Sequence, residues 1–167
     1  MEDGSIILLV VAVLMVVMSA YFSATETAFT SLNRVRLKSR ADAGDRRSKL
    51  ALDMSGNYDR LLSTILIGNN IVNLSASSIA TSLAIELWGS VGAGIATGIL
   101  TLLILIFGEI SPKTLATIYS ERIALTYSAA IELLIKILTP VIFLINKRSM
   151  GFLLLMRVDP KAGEQQL

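Results

Sequence analysis

The residue best placed to do chemistry is Glu109, in the run Gly108-Glu109-Ile110-Ser111-Pro112-Lys113, because it stands inside a long apolar block. A carboxylate at that depth costs about 2.5–3.5 kcal/mol on insertion scales, and such acids mark ion or proton paths. Pro112 has no N–H, so an α-helical register leaves the carbonyl four residues back, at Gly108, without a donor. Gly108 has no side chain to keep an ion from its backbone. Interrupted helices with freed carbonyls at membrane depth are a recurring way of coordinating ions.

Two other apolar blocks carry polar stripes. Ser19, Ser23, Glu26 and Thr30 share one helical face in the first, and Asn70, Asn73 and Ser77 share one in the second, after Gly68 and Asn69. Ser and Thr are common glue between membrane helices, so Thr30, Asn73 and Ser77 are read as packing residues. Ser19, Ser23, Asn70, Gly108 and Glu109 together offer hydroxyl, amide, carbonyl and carboxylate oxygens. One negative charge among neutral oxygens suits a cation. The competing reading of Glu109 is an ion pair with Lys113, four residues on. Glu26 is a second acid, able to pair with Lys113 or a loop arginine, to hold a coupling ion or to line an exit.

Composition narrows the chemistry. The 167 residues contain no Cys and no His. Thiolate and imidazole metal sites, disulfides, and Cys- or His-based catalysis are excluded. Any metal must be held by oxygen, which favours Mg²⁺, Ca²⁺, Na⁺ or Mn²⁺. No serine has a plausible base beside it, so no enzyme is expected. A formal net charge of +2 gives no sign of nucleic-acid binding.

The elements that must position these residues are membrane helices. The chain is 53% hydrophobic, and the excess lies in long blocks. Spans are expected at about residues 5–30, 61–85 and 91–118, each long enough for roughly 20 helical residues. Eight of the 15 basic residues (Arg34, Arg36, Lys38, Arg40, Arg46, Arg47, Lys49, Arg60) fall between the first two spans, which assigns that loop to the cytoplasm. The second connection has no Lys or Arg and carries Glu86, Trp88 and Gly89, as an outer interface would. Acidic Glu2 and Asp3 argue for a retained span with its N-terminus outside rather than a signal peptide.

A fourth apolar stretch, about residues 124–145, contains the i,i+4 pair Glu132 and Lys136 and also Pro140, and is followed by Lys147, Arg148, Arg157 and Lys161. That pattern favours an interfacial helix, or a broken helix returning to the same side. The expectation is an all-α membrane protein with three spans, N-terminus out and C-terminus in. The rival is four spans with both ends outside. Juxtamembrane helices are expected at about 37–58, broken near Gly44, and at 124–145. The membrane domain is expected to occupy 1–160, with a linker beginning at 161–167 after Asp159-Pro160. Gly94 and Gly98 form Gly-x-x-x-Gly, which permits close helix contact within the protomer or between two.

Three segments in order, Ser23-Ala-Thr-Glu-Thr-Ala28, Ile67-Gly-Asn-Asn-Ile-Val-Asn73 and Gly108-Glu-Ile-Ser-Pro-Lys-Thr114, resemble the transmembrane domain of the CorC/CNNM magnesium transporters, over nearly the whole chain. The resemblance implies a multi-pass homodimer in the plasma (inner) membrane, with a cytoplasmic helical belt, exporting Mg²⁺ in exchange for Na⁺. It implies a Mg²⁺ site at Ser19, Ser23, Asn70, Gly108 and Glu109, through backbone carbonyls at Ser19 and Gly108 and side chains at the others. It also implies a cytosolic CBS module in the full-length protein. The alternative is a membrane-embedded Mg²⁺ sensor that regulates other transporters.

Overall fold

The structure, a computed structural model, describes residues 3–156. Among these residues every regular element is a helix. Helix α1 (Asp3–Thr30) leads through a short turn to α2 (Arg34–Asp42) and α3 (Arg46–Gly56), followed by α4 (Tyr58–Trp88) and α5 (Ser90–Leu103). A π-helical segment (Ile104–Ile110) joins α5 to α6 (Ser111–Ile118), and α7 (Ser120–Leu155) completes the order. The expected linker at 161–167, with Asp159, Pro160 and Lys161, lies outside the described residues.

Local chemistry sets the breaks. The Asn33 side chain accepts from the Arg36 N–H at 3.1 Å and so caps α2. The Asp45 carboxylate accepts from the Arg47 N–H at 3.1 Å and the Ser48 hydroxyl at 2.7 Å, capping α3. Gly44 between them has φ +99°, a left-handed conformation that favours glycine. The expected break near Gly44 is therefore present. The turn from α4 to α5 uses Gly89 at φ +71°, and a side chain on Gly92 would collide with the Ala84 carbonyl.

Helix α1 packs along α4 and against the π segment, α6 and α7. The core follows those seams, with Phe22, Ala28, Leu37, Ala51, Leu61, Ile65, Ala124 and Ile131 buried together. It joins the membrane bundle to the α2–α3 hairpin. Around it the surface stays apolar: Ile7, Val17, Leu74, Ile99 and Phe107 are all largely exposed, as lipid-facing residues are.

Four stretches are long and apolar enough to cross a membrane: Asp3–Thr30, Tyr58–Trp88, Ser90–Ile118 and Ser120–Leu155. The fourth is longer than the 124–145 helix expected, and it is not broken: α7 runs through Pro140 without interruption. Near a proline, helices often continue when neighbouring groups re-satisfy the freed carbonyl. The Glu132–Lys136 pair forms as spaced, at 3.7 Å. Gly94 and Gly98 touch no neighbour, so the Gly-x-x-x-Gly face packs nothing within the described residues.

Candidate cation site

The polar residues of α1, α4 and the π segment converge where α1 crosses α4. Ser19 is fully buried, and its hydroxyl donates to the Asn69 Oδ1 at 2.9 Å. The Asn73 amide nitrogen donates to the same oxygen at 3.4 Å. Gly108 is buried against Ser19 so closely that a Cβ there would stand 3.1 Å from the Ser19 Oγ. The small residue thus brings the third helix backbone onto the first.

Two oxygens in this region have no partner. The Ser23 hydroxyl and the Asn73 Oδ1 are buried and make no hydrogen bond among the described residues. An unsatisfied buried polar atom costs about 1–3 kcal/mol, so such atoms call for an explanation. Glu109 follows Gly108 on the π segment, half-buried, with no ion pair or hydrogen bond among the described residues. No group of three or more Asp, Glu, His or Cys gathers among the described residues. The site is one carboxylate with neutral oxygens, a donor set that suits a hard cation.

Of the five residues singled out in the sequence, Ser19 and Gly108 are in direct contact, Ser23 is one turn along the same face of α1, and Glu109 adjoins Gly108. Asn70 is not brought in: it is exposed, on the outer side of α4. Asn69 takes the position against Ser19. The reason is rotational. The buried stripe of α4 runs through Ile65, Val72 and Ala76, and residue 69 falls on that stripe while residue 70 is about 100° away.

The route by which the Gly108 carbonyl was expected to be freed is also altered. The Ser111 N–H bonds to the Ile106 carbonyl, five residues back. In that register Pro112 falls opposite Phe107, not Gly108. A single π turn inside an α-helix commonly marks a functional site, and here it sets Gly108 toward α1.

The expected competitor for Glu109 does not form. Lys113 pairs with Glu26, at 4.0 Å, across α1 and α6. Below that pair, Thr30 contacts the Tyr58 hydroxyl at 3.0 Å. A cavity of about 270 Å³, lined by Glu26, Leu62, Ser63, Ile65, Leu66 and Asn69, lies between Glu26 and the Ser19–Asn69 crossing. It opens the polar crossing toward the end of the bundle that bears the basic hairpin.

Comparison with known proteins agrees with this architecture. The profile of the cyclin M transmembrane N-terminal domain (CNNM) matches residues 10–167. A UPF0053 protein of Haemophilus influenzae is 42% identical over 139 residues, which is 83% of this chain and 33% of the relative. The UPF0053 inner membrane protein YfjD of Escherichia coli is 42% identical over 128 residues, 77% of this chain and 30% of its own. A chloroplastic DUF21 domain-containing protein of Arabidopsis thaliana is 32% identical over 154 residues, 90% of this chain and 23% of its own. The chain therefore spans a third or less of the length of these relatives.

Proposed function

This chain belongs to the cyclin M transmembrane N-terminal domain family, and from that premise we propose that it exports Mg²⁺ across the plasma (inner) membrane, driven by Na⁺ entry. It is a multi-pass membrane protein; the ion, the coupling and the direction are the proposal. The observation that carries it is that two oxygens flanking the Ser19–Asn69 crossing, Ser23 Oγ and Asn73 Oδ1, are orphaned where Gly108 packs on Ser19, with the unpaired Glu109 next in the chain. A cation at the crossing is the kind of partner that meets orphaned oxygens and neutralises a nearby acid. A purely structural crossing would gain nothing from leaving them unmet.

The ligand set proposed is Ser19, Ser23, Gly108 and Glu109; the Asn69 oxygen already accepts from Ser19 and Asn73 and holds Ser19 in place. Mg²⁺ takes about six oxygens and releases water reluctantly, so a site of mostly neutral groups holds it weakly enough to let it go. Asn70 has a different part. It lies among Leu66, Ile71 and Leu74, each more than half exposed. An amide facing lipid lacks partners, and a homodimer formed over this face of α4 would supply them.

We also propose three spans, N-terminus out and C-terminus in. The support is the course of α7. Glu121 pairs with Arg36 and Arg40 of α2, while Glu132, Lys136 and Thr139 share a cavity with Asp53, Asn57 and Arg60. Between those points α7 advances roughly 27 Å at 1.5 Å per residue and is still beside the hairpin. A helix crossing the bilayer would have left it.

Mg²⁺ flux into or out of liposomes containing the purified chain tests the transport reading. Glu109→Ala and Asn69→Ala are expected to abolish flux, and Asn70→Ala to preserve more of it. Unchanged flux in the first two would overturn the assignment. Flux without any partner protein separates a transporter from a membrane-embedded sensor.

A further inference from the structure

At the corner between α6 and α7 the molecule carries a further cavity that the cation site does not use. It measures about 330 Å³ and is lined by Leu115, Tyr119, Arg122, Ile123, Thr126 and Tyr127. Arg122 is exposed and has no acidic partner among the described residues. Its neighbour Glu121 behaves oppositely: it is held by both Arg36 and Arg40. Adjacent residues on a helix point about 100° apart, so Glu121 faces the hairpin while Arg122 faces the cavity.

The place of the cavity defines what can enter it. It sits where the third apolar stretch ends, at Ile118, at the bundle end that bears the basic hairpin. Leu115, Ile118 and Tyr119 around it are each more than half exposed. One wall is therefore apolar and open to lipid, and the rim is cationic. A free phosphate would use the rim and gain nothing from the wall. We propose that this corner binds an anionic phospholipid, with its headgroup phosphate on Arg122 and the Tyr119 hydroxyl and an acyl chain along Leu115 and Ile118.

Native mass spectrometry of the whole chain tests this, using equal amounts of phosphatidylglycerol and phosphatidylcholine with identical acyl chains. The wild type is expected to retain phosphatidylglycerol preferentially. Arg122→Gln should cut that preference about fivefold, the factor equivalent to ~1 kcal/mol per basic residue near an anionic surface. Lys49→Gln, on the hairpin and away from the cavity, should leave it unchanged, and soluble glycerophosphate should not displace the lipid. The proposal fails if both lipids bind equally, or if Arg122→Gln keeps the preference. It fails equally if glycerophosphate competes, or if Arg122→Gln changes only the dimer fraction, which would make a second copy the occupant.

Discussion

The helix crossing inside the bundle and the belt of α2, α3 and the first turns of α7 are both polar, and they treat their polar groups differently. In the belt the charges are shared out: Asp45 holds Ser48 and lies 3.3 Å from Arg40, and Arg40 and Arg36 both reach Glu121. Arg34 donates to the Ser55 carbonyl at 3.3 Å, although the Ser55 hydroxyl is itself buried without a partner. At the crossing the Ser23 hydroxyl, the Asn73 Oδ1 and the Glu109 carboxylate lack partners among the described residues, although water is scarcer there and an unmet group is more costly. A satisfied network reads as structure. An unsatisfied set at greater cost reads as a place kept for a ligand.

Four experiments would break or sharpen that contrast. The largest effect is expected for Glu109→Gln, which removes the only charge proposed for the site while keeping its shape. Mg²⁺ flux in liposomes should fall at least about tenfold, equivalent to ~1.4 kcal/mol of ion affinity. The helical circular dichroism should not change. A flux loss from Glu121→Gln of the same size would erase the distinction between the regions.

Next comes Gly68→Val. A Cβ at residue 68 would stand 2.6 Å from the Phe22 ring, which is almost fully buried. Overpacking of this kind costs about 1–3 kcal/mol, read as a lower midpoint of thermal unfolding in detergent. Retention of the wild-type midpoint would mean that α1 and α4 can slide apart at the crossing.

A smaller change is expected for Glu121→Gln. Its two guanidinium partners are themselves partly exposed, so solvent screening limits the loss to roughly 0.5–1 kcal/mol. The unfolding midpoint should drop and become less sensitive to salt, with flux unaltered.

The smallest effect concerns pH. The Ser48 hydroxyl, with the Arg47 and Ser48 backbone N–H groups and the charge of Arg40, holds the Asp45 carboxyl below its ordinary value of 3.8. A carboxyl lowered in the folded state contributes stability above its unfolded value and loses it as pH falls through the folded one. Thermal melts of the wild type and Asp45→Asn should therefore differ at neutral pH, begin to approach each other as the pH falls through about 4, and converge only below the lowered folded value. A difference that persists into strong acid would assign Asp45 a purely steric role.

Sequence by itself determined the class of molecule. Hydropathy, the clustered basic residues and the absence of Cys and His specify an all-helical membrane chain whose metal chemistry must use oxygen, because burial cost and ligand type are properties of residues one at a time. The break near Gly44 and the connection at Gly89 were equally readable, since a glycine acts through its own backbone neighbourhood. Only the tertiary structure decided which asparagine faces Ser19, that Lys113 turns to Glu26 rather than Glu109, and that Gly108 sits on a π turn. Those outcomes depend on how each helix is rotated about its axis. A 100° step separates Asn69 from Asn70, and only packing against α1 chooses between them.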